Sequence, residues 1–314
     1  MQRAASVAIR QCMKVAKSET VLVVTDEPCR KIGYALWAEA SKAAKEAMLV
    51  EISPRKTNGE EPPPALAALM ASVDVVLCPT SKSLTHTEAR RNACKQGARI
   101  ATLPGITEDS MRRTLSADYQ KIAVLTKKIV RILTKAKTAH ITTPTGTDLV
   151  MDISGRAAHD DTGLTHKKGE YTNLPAGEAY LAPLEGTTEG MLVVDGSMAG
   201  IGLLTRPLIM EVSQGYVTKI SGGPQATILK RITKPLGKPA LNIAELGVGT
   251  NHKARVTGLV LEDEKVLGTV HVAIGDNASM GGIVHVQSHL DGVLLEPTLI
   301  IDGKVLIDRG KLLA

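Results

Sequence analysis

The sequence predicts an α/β plus mostly-β chain. An N-terminal parallel α/β sheet domain spans residues 1–137, and an antiparallel, barrel-like, β-rich metal-binding domain spans 138–314. Three observations carry this expectation. Short apolar runs alternate with helical periodicity over the first part of the chain. Near Thr138 the pattern changes to short alternating segments separated by Gly, Asp and Asn turns. The last part concentrates histidine, aspartate and glutamate within those β-like segments.

In the first part, residues 2–17 have helical period and lead into the apolar run VLVVTD at 21–26. An Ala-rich helix over 28–46 precedes a second strand, AMLVEIS at 47–53. A loop with three prolines (58–64), a short helix and the run VDVVLCPT (73–80) follow. The helix TEARRNACKQG (87–97) leads to ARIATLP (98–104), with further helices expected over 107–116 and 118–137. Apolar runs of this length between helices mark parallel strands covered on both faces. The turn after the first run is TDEPCR, with no glycine-rich phosphate loop, so no dinucleotide site is expected. Beyond Thr138 the segments TTEGMLVVDGS, RPLIMEVSQGYVTKISGG, EKVLGTVHVAIG and TLIIDGKVLIDRGK read as strands, interrupted by one helix at 222–234.

Composition narrows the function classes. The formal charge of +6 comes from scattered Lys and Arg, and aromatics are 2% of residues with Phe absent. That leaves little for a base-stacking nucleic-acid surface. No apolar run reaches the roughly 18 residues of a membrane span, and the N-terminal residues lack the apolar core of a signal peptide. The chain therefore reads as a cytoplasmic protein without a membrane or nucleic-acid partner. Cys12, Cys29, Cys78 and Cys94 show no C-x-x-C spacing and read as reduced core thiols.

The chemistry is expected in the second part. In GTVHVAIGDNASMGGIVHVQSHLDG (268–292), His289 and Asp291 stand at i and i+2 of a strand and so share a face. His271 can reach them if the two strands pair. Two imidazoles and a carboxylate suit a divalent metal; two capped strand ends and a surface histidine are the plain alternative. Glu178 follows the Pro-Ala-Gly turn in EYTNLPAGEAYLAP, either as a site carboxylate or as a turn acid in water. Glu245 lies among small apolar residues in LNIAELGVGTN, where an unpaired carboxylate is costly. The loop with His159, Asp160, Asp161 and His166 reads as solvated. Five donors (Glu178, Glu245, His271, His289 and Asp291) suit two divalent ions sharing a carboxylate. A single ferrous ion on the two histidines and Asp291 is the other option, and spacing chooses neither.

The segments NLPAGEAYLAP, AELGVGTN, EDEKVLGTVHVAIGDN and SHLDG resemble those of the thermophilic metallo-aminopeptidase family, typified by leucyl aminopeptidase T. The resemblance covers the second part well and the first loosely, through SLTHTEARRNACKQGARIATLPGIT. It implies a dinuclear site of Zn, Co or Mn on Glu178, Glu245, His271, His289 and Asp291, removal of N-terminal residues from peptides, and dimerisation. It also sets His285 and Asp276 aside as ligands. The family's tyrosine in the loop after the strand histidine is missing from IGDNASMGG, and the His271–His289 interval is shorter. Within the same superfamily, 2,5-dihydroxypyridine 5,6-dioxygenases are similar in S-L-T-H-T and H-x-D. That likeness implies one ferrous ion on His271, His289 and Asp291, with His86 as an acid/base near the substrate. The leading expectation is thus a cytoplasmic metalloprotease-type hydrolase with a dinuclear site acting on a small peptide. A mononuclear ring-cleaving oxygenase acting on a small molecule, or a non-catalytic relative, is the alternative.

Overall fold

The computed structural model describes residues 1–313, which divide into two compact units: 1–123 with 161–176, and 124–160 with 177–313. The first unit thus takes a segment from beyond position 138, where the β-rich pattern begins.

The first unit holds a five-stranded, wholly parallel sheet in the order Glu46–Ile52, Thr20–Asp26, Val75–Cys78, Arg99–Thr102, Tyr171–Asn173. Alternation along the second of these strands divides the core: Val21 and Val23 face one buried cluster, Leu22 and Val24 the other. Both faces are covered, as a parallel sheet with helical crossovers requires. The helices include Arg30–Ala43, Pro64–Met70, Glu88–Lys95 and Glu108–Thr114. Thr87 and Thr107 cap the last two, each side chain accepting a backbone N–H from the first turn. The first helix is shorter than its periodicity predicts: Gln2–Ser6 passes into a π-helical turn at Val7–Cys12. Cys12, Cys29 and Cys78 are buried, Cys94 is half-buried, and all are free thiols. Burial pushes the Cys78 thiol up to about 12.

The second unit contains two large antiparallel sheets. One runs Tyr216–Ser221, Leu208–Ser213, Glu189–Val194, Asp148–Asp152, Thr138–Thr142, Thr298–Ile301, Lys304–Asp308, Lys311–Leu312. The other runs Gly202–Leu203, Ser197–Met198, His289–Leu294, Val270–Gly275, Ile243–Gly249, Glu178–Leu181, His159–Asp161. Ile141, Leu149, Leu192 and Met210 of the first meet Leu181, Leu246, Val272 and Ile274 of the second in one buried cluster. The barrel expected from the sequence does not form. Each sheet begins and ends on different strands, so both stay open and achieve burial by sharing this core. The helix expected at 222–234 is Pro224–Thr233. Among the described residues no helix is long and apolar enough to cross a membrane.

Candidate metal centre

Four neighbouring strands of the second sheet bring the five predicted residues together. Their register aligns Glu178 with Gly249, Glu245 with Ala273 and Asp291, Gly247 with His271, and Gly275 with His289. Residues paired across antiparallel strands point to the same face. One face of the sheet therefore carries acids, imidazoles and small residues, while Leu246, Val248, Val270, Val272 and Ile274 point the other way into the core. The small residues have a purpose in this face. A Cβ on Gly247 would fall 1.9 Å from Nε2 of His271, so only glycine lets that imidazole lie across the neighbouring strand.

Glu245 sits at the middle of the cluster. Its Oε1 is 3.2 Å from His271 Nε2 and its Oε2 is 3.0 Å from His289 Nε2. Asp291 Oδ1 lies 3.3 Å from the same His289 nitrogen. Glu178 Oε2 lies 3.3 Å from His271 Nε2 but makes no hydrogen bond, and both this oxygen and His271 Nδ1 are buried without a hydrogen-bond partner. The donors form two groups, Glu178–Glu245–His271 and Glu245–His289–Asp291, the atoms of each lying within 4.8 Å of one another. The first group is buried; the second is partly open, the His289 side chain being 32% exposed.

Electrostatics follow from crowding charge in a dry place. Burial opposes the charged form of Glu245, but hydrogen bonds from His271 and His289 outweigh it and hold the carboxyl well below its usual range. Burial likewise works against the His271 imidazolium, yet Glu245 and Glu178 raise it to about 9. Burial pushes Glu178 up to about 8 against the pull of Lys265. A divalent ion competes with protons for these donors. Imidazole and carboxylate together, with the buried, unpartnered Glu178 Oε2 facing His271 Nε2, fit such an ion.

His86 lies in the first unit, exposed, one residue before the Thr87 cap. His285 is 83% exposed and 3.9 Å from Asp276 Oδ2, outside both donor groups. His159 stacks on Tyr180, and His166 Nε2 is 2.9 Å from the Gln11 carbonyl; neither joins a donor group. Residue types and spacing did not single out Gly247, Glu264 or Lys265. The charged run EDEK (262–265), a few residues ahead of an apolar strand, was the available signal for the last two, since Glu and Lys drawn toward a core need partners.

The family model for 2,5-dihydroxypyridine 5,6-dioxygenase matches residues 2–314. A 2,5-dihydroxypyridine 5,6-dioxygenase of Pseudomonas putida is 25% identical over 278 residues, covering 79% of this chain and 74% of that protein. The structure of 2,5-dihydroxypyridine dioxygenase from Pseudomonas putida KT2440 aligns with a TM-score of 0.82 at 20% identity, over 100% of this chain and 97% of the other. Wild-type AmpT from Thermus thermophilus aligns at 0.76 and 16% identity, over 100% and 98%. At those identities the two structures speak for the fold.

These matches correct the leading expectation. The family is one of dioxygenases, so the hydrolase, with its aminopeptidase and metalloprotease chemistry, is set aside. The motifs that suggested it build the sheet that carries the candidate donors, and the fold is common to both structural relatives. Shared scaffold motifs therefore do not separate the two chemistries.

Proposed function

The chain belongs to the 2,5-dihydroxypyridine 5,6-dioxygenase family, and from that premise we propose that it is a ring-cleaving dioxygenase using one ferrous ion per chain on a dihydroxylated pyridine or related ring. The observation that carries the site assignment is the partly open Glu245–His289–Asp291 group, which keeps His289 and Asp291 of the set implied by the dioxygenase likeness and adds Glu245, whose Oε1 lies 3.2 Å from the third member, His271. A centre that must admit a ring and dioxygen needs positions the protein leaves free. The Glu178–Glu245–His271 group, wholly buried, offers none. When bound, a ferrous ion supplies the redox chemistry that dioxygen requires.

The protein's part is to bind and orient. Glu245, Asp291 and His289 present oxygen and nitrogen donors on one face. His271 holds the second oxygen of Glu245 and so fixes the plane of that carboxylate. With aromatic side chains at 2%, few rings are available to stack on such a substrate.

The test is anaerobic ferrous loading followed by oxygen uptake with 2,5-dihydroxypyridine and a panel of dihydroxylated aromatics. One dioxygen consumed per ring opened is expected, with loss of turnover in metal-free protein and in Asp291→Ala. Iron bound but no uptake across the panel overturns the proposal.

A further inference from the structure

Beside the open donor group lies a buried cluster that the proposed reaction does not use. Lys265 Nζ is 2.5 Å from Glu178 Oε1 and 2.7 Å from Glu264 Oε1. The lysine side chain is 1% exposed, and Glu178 and Glu264 are 9% and 12% exposed. Lys265 stands just after the helical turn Val260–Asp263, in the connection leading to the strand of His271. An ammonium buried this deeply is unfavourable without paired anions, so the two glutamates account for its burial.

The converse question is what the cation does for the glutamates. Glu178 belongs to the closed Glu178–Glu245–His271 group, which has the donors for an ion of its own. One of its oxygens is taken by Lys265, while the other, Oε2, faces His271 without a hydrogen bond. An ion there would share a single carboxylate with an ammonium in a low-dielectric interior, where like charges repel most strongly.

We infer that Lys265 is a built-in cation standing in for a second metal ion: it neutralises Glu178 and Glu264 and confines the divalent ion to the Glu245–His289–Asp291 side. Lys265 is thus a positioning residue. Lysine suits this role because it is a compact point charge on a long stem. The inference rests on the metal-centre reading above.

Metal content per chain, read after equilibrium dialysis against excess Mn(II) and removal of free ion, tests it without any assay of turnover. One ion in the wild type and two in Lys265→Met are expected. Recovery of soluble Lys265→Met only when Mn(II) is supplied also supports it, since the metal then replaces the ammonium. Two ions in the wild type overturn it. One ion in a Lys265→Met chain that folds stably without metal overturns it as well. Should Lys265→Met fail to fold under both conditions, Lys265→Met with Glu264→Gln carries one fewer unpaired acid, and its count decides in the same way. A wild type that binds no ion fells the metal-centre reading and this inference with it, whereas a wrong count fells the inference alone.

Discussion

The Nδ1 nitrogen of His289 lies 2.7 Å from the backbone carbonyl oxygen of Asp276. A carbonyl only accepts, so Nδ1 carries a proton, and Nε2, aimed at Glu245 and Asp291, is the nitrogen that donates to those acids or, on giving up its proton, binds a metal. A ring nitrogen fixed in this way by a backbone oxygen is a recurrent feature of metal-binding histidines. The loop that supplies the carbonyl is itself held: Glu185 Oε1 accepts from Asn277 Nδ2 at 2.8 Å and from the Ile283 N–H at 2.9 Å. Arg156 adds bonds to Glu185 and to the Gly281 carbonyl.

Loosening that clasp acts on the metal through His289. Glu185→Ala is expected to weaken Mn(II) affinity by about tenfold or more. Glu185→Gln, which keeps an acceptor for Asn277 and Ile283, retains most of the affinity. Calorimetric titration of the three proteins checks this; equal affinities would show that the clasp does not bear on His289.

Gly247→Ala tests the packing of the ligand face. The new methyl group overlaps the His271 imidazole, so the ring must swing away from Glu245. Overpacking of this kind costs about 1–3 kcal/mol, and the expected result is a lower melting temperature together with weakened metal binding. A variant with wild-type affinity would show that His271 tolerates displacement.

Metal removal is expected to destabilise the second unit, because an ion that binds the assembled donors and not the unfolded chain stabilises the folded state by mass action. Saturation at a hundred times the dissociation constant adds about 2.7 kcal/mol. Thermal melts with chelator and with Mn(II) should differ by several degrees, and a chelator-insensitive melt would contradict metal binding to the folded state.

Acid stability has a separate origin in the first unit. Arg99 Nη1 and Nη2 lie 2.8 and 2.9 Å from the two carboxylate oxygens of Glu19, and this fork holds the Glu19 carboxyl below its ordinary value of 4.5. A carboxyl depressed in the folded state contributes stability that is full above the unfolded value and lost as pH falls through the folded one. Glu19→Gln, leaving the buried Arg99 under-paired, should cost about 1–3 kcal/mol near neutral pH. The gap from wild type should close as pH is lowered below 4.5. Urea melts from pH 6 to pH 3 measure it; a gap that stays constant would mean that the charge of Glu19 is not responsible.

Much of this was legible in the residues alone. Apolar runs such as VLVVTD mark parallel strands because burial on both faces demands unbroken hydrophobicity. His289 and Asp291 share a face because strand side chains alternate with period two. Glu245 stood out because a carboxylate among small apolar residues needs a partner. Identifying the chemistry was harder. The H-x-D pair and the glutamate segments belong to a scaffold that serves more than one reaction, so motif likeness pointed to a peptidase where the family is a dioxygenase.

By itself, then, the sequence determined the alternation of helix and parallel strand, the change of character near Thr138, and the five acidic and imidazole residues that gather on one sheet face. Tertiary structure decided the rest. That the β-rich part closes no barrel depends on which distant strands pair, and local periodicity does not encode pairing. That Tyr171–Asn173 joins the parallel sheet of the first unit depends likewise on a partner, Arg99–Thr102, some 70 residues away in sequence. The need for glycine at 247 arises only when His271 is laid across it. The burial of Lys265 between Glu178 and Glu264 brings together charges from segments 87 residues apart, and only the folded chain sets the distance at which they act.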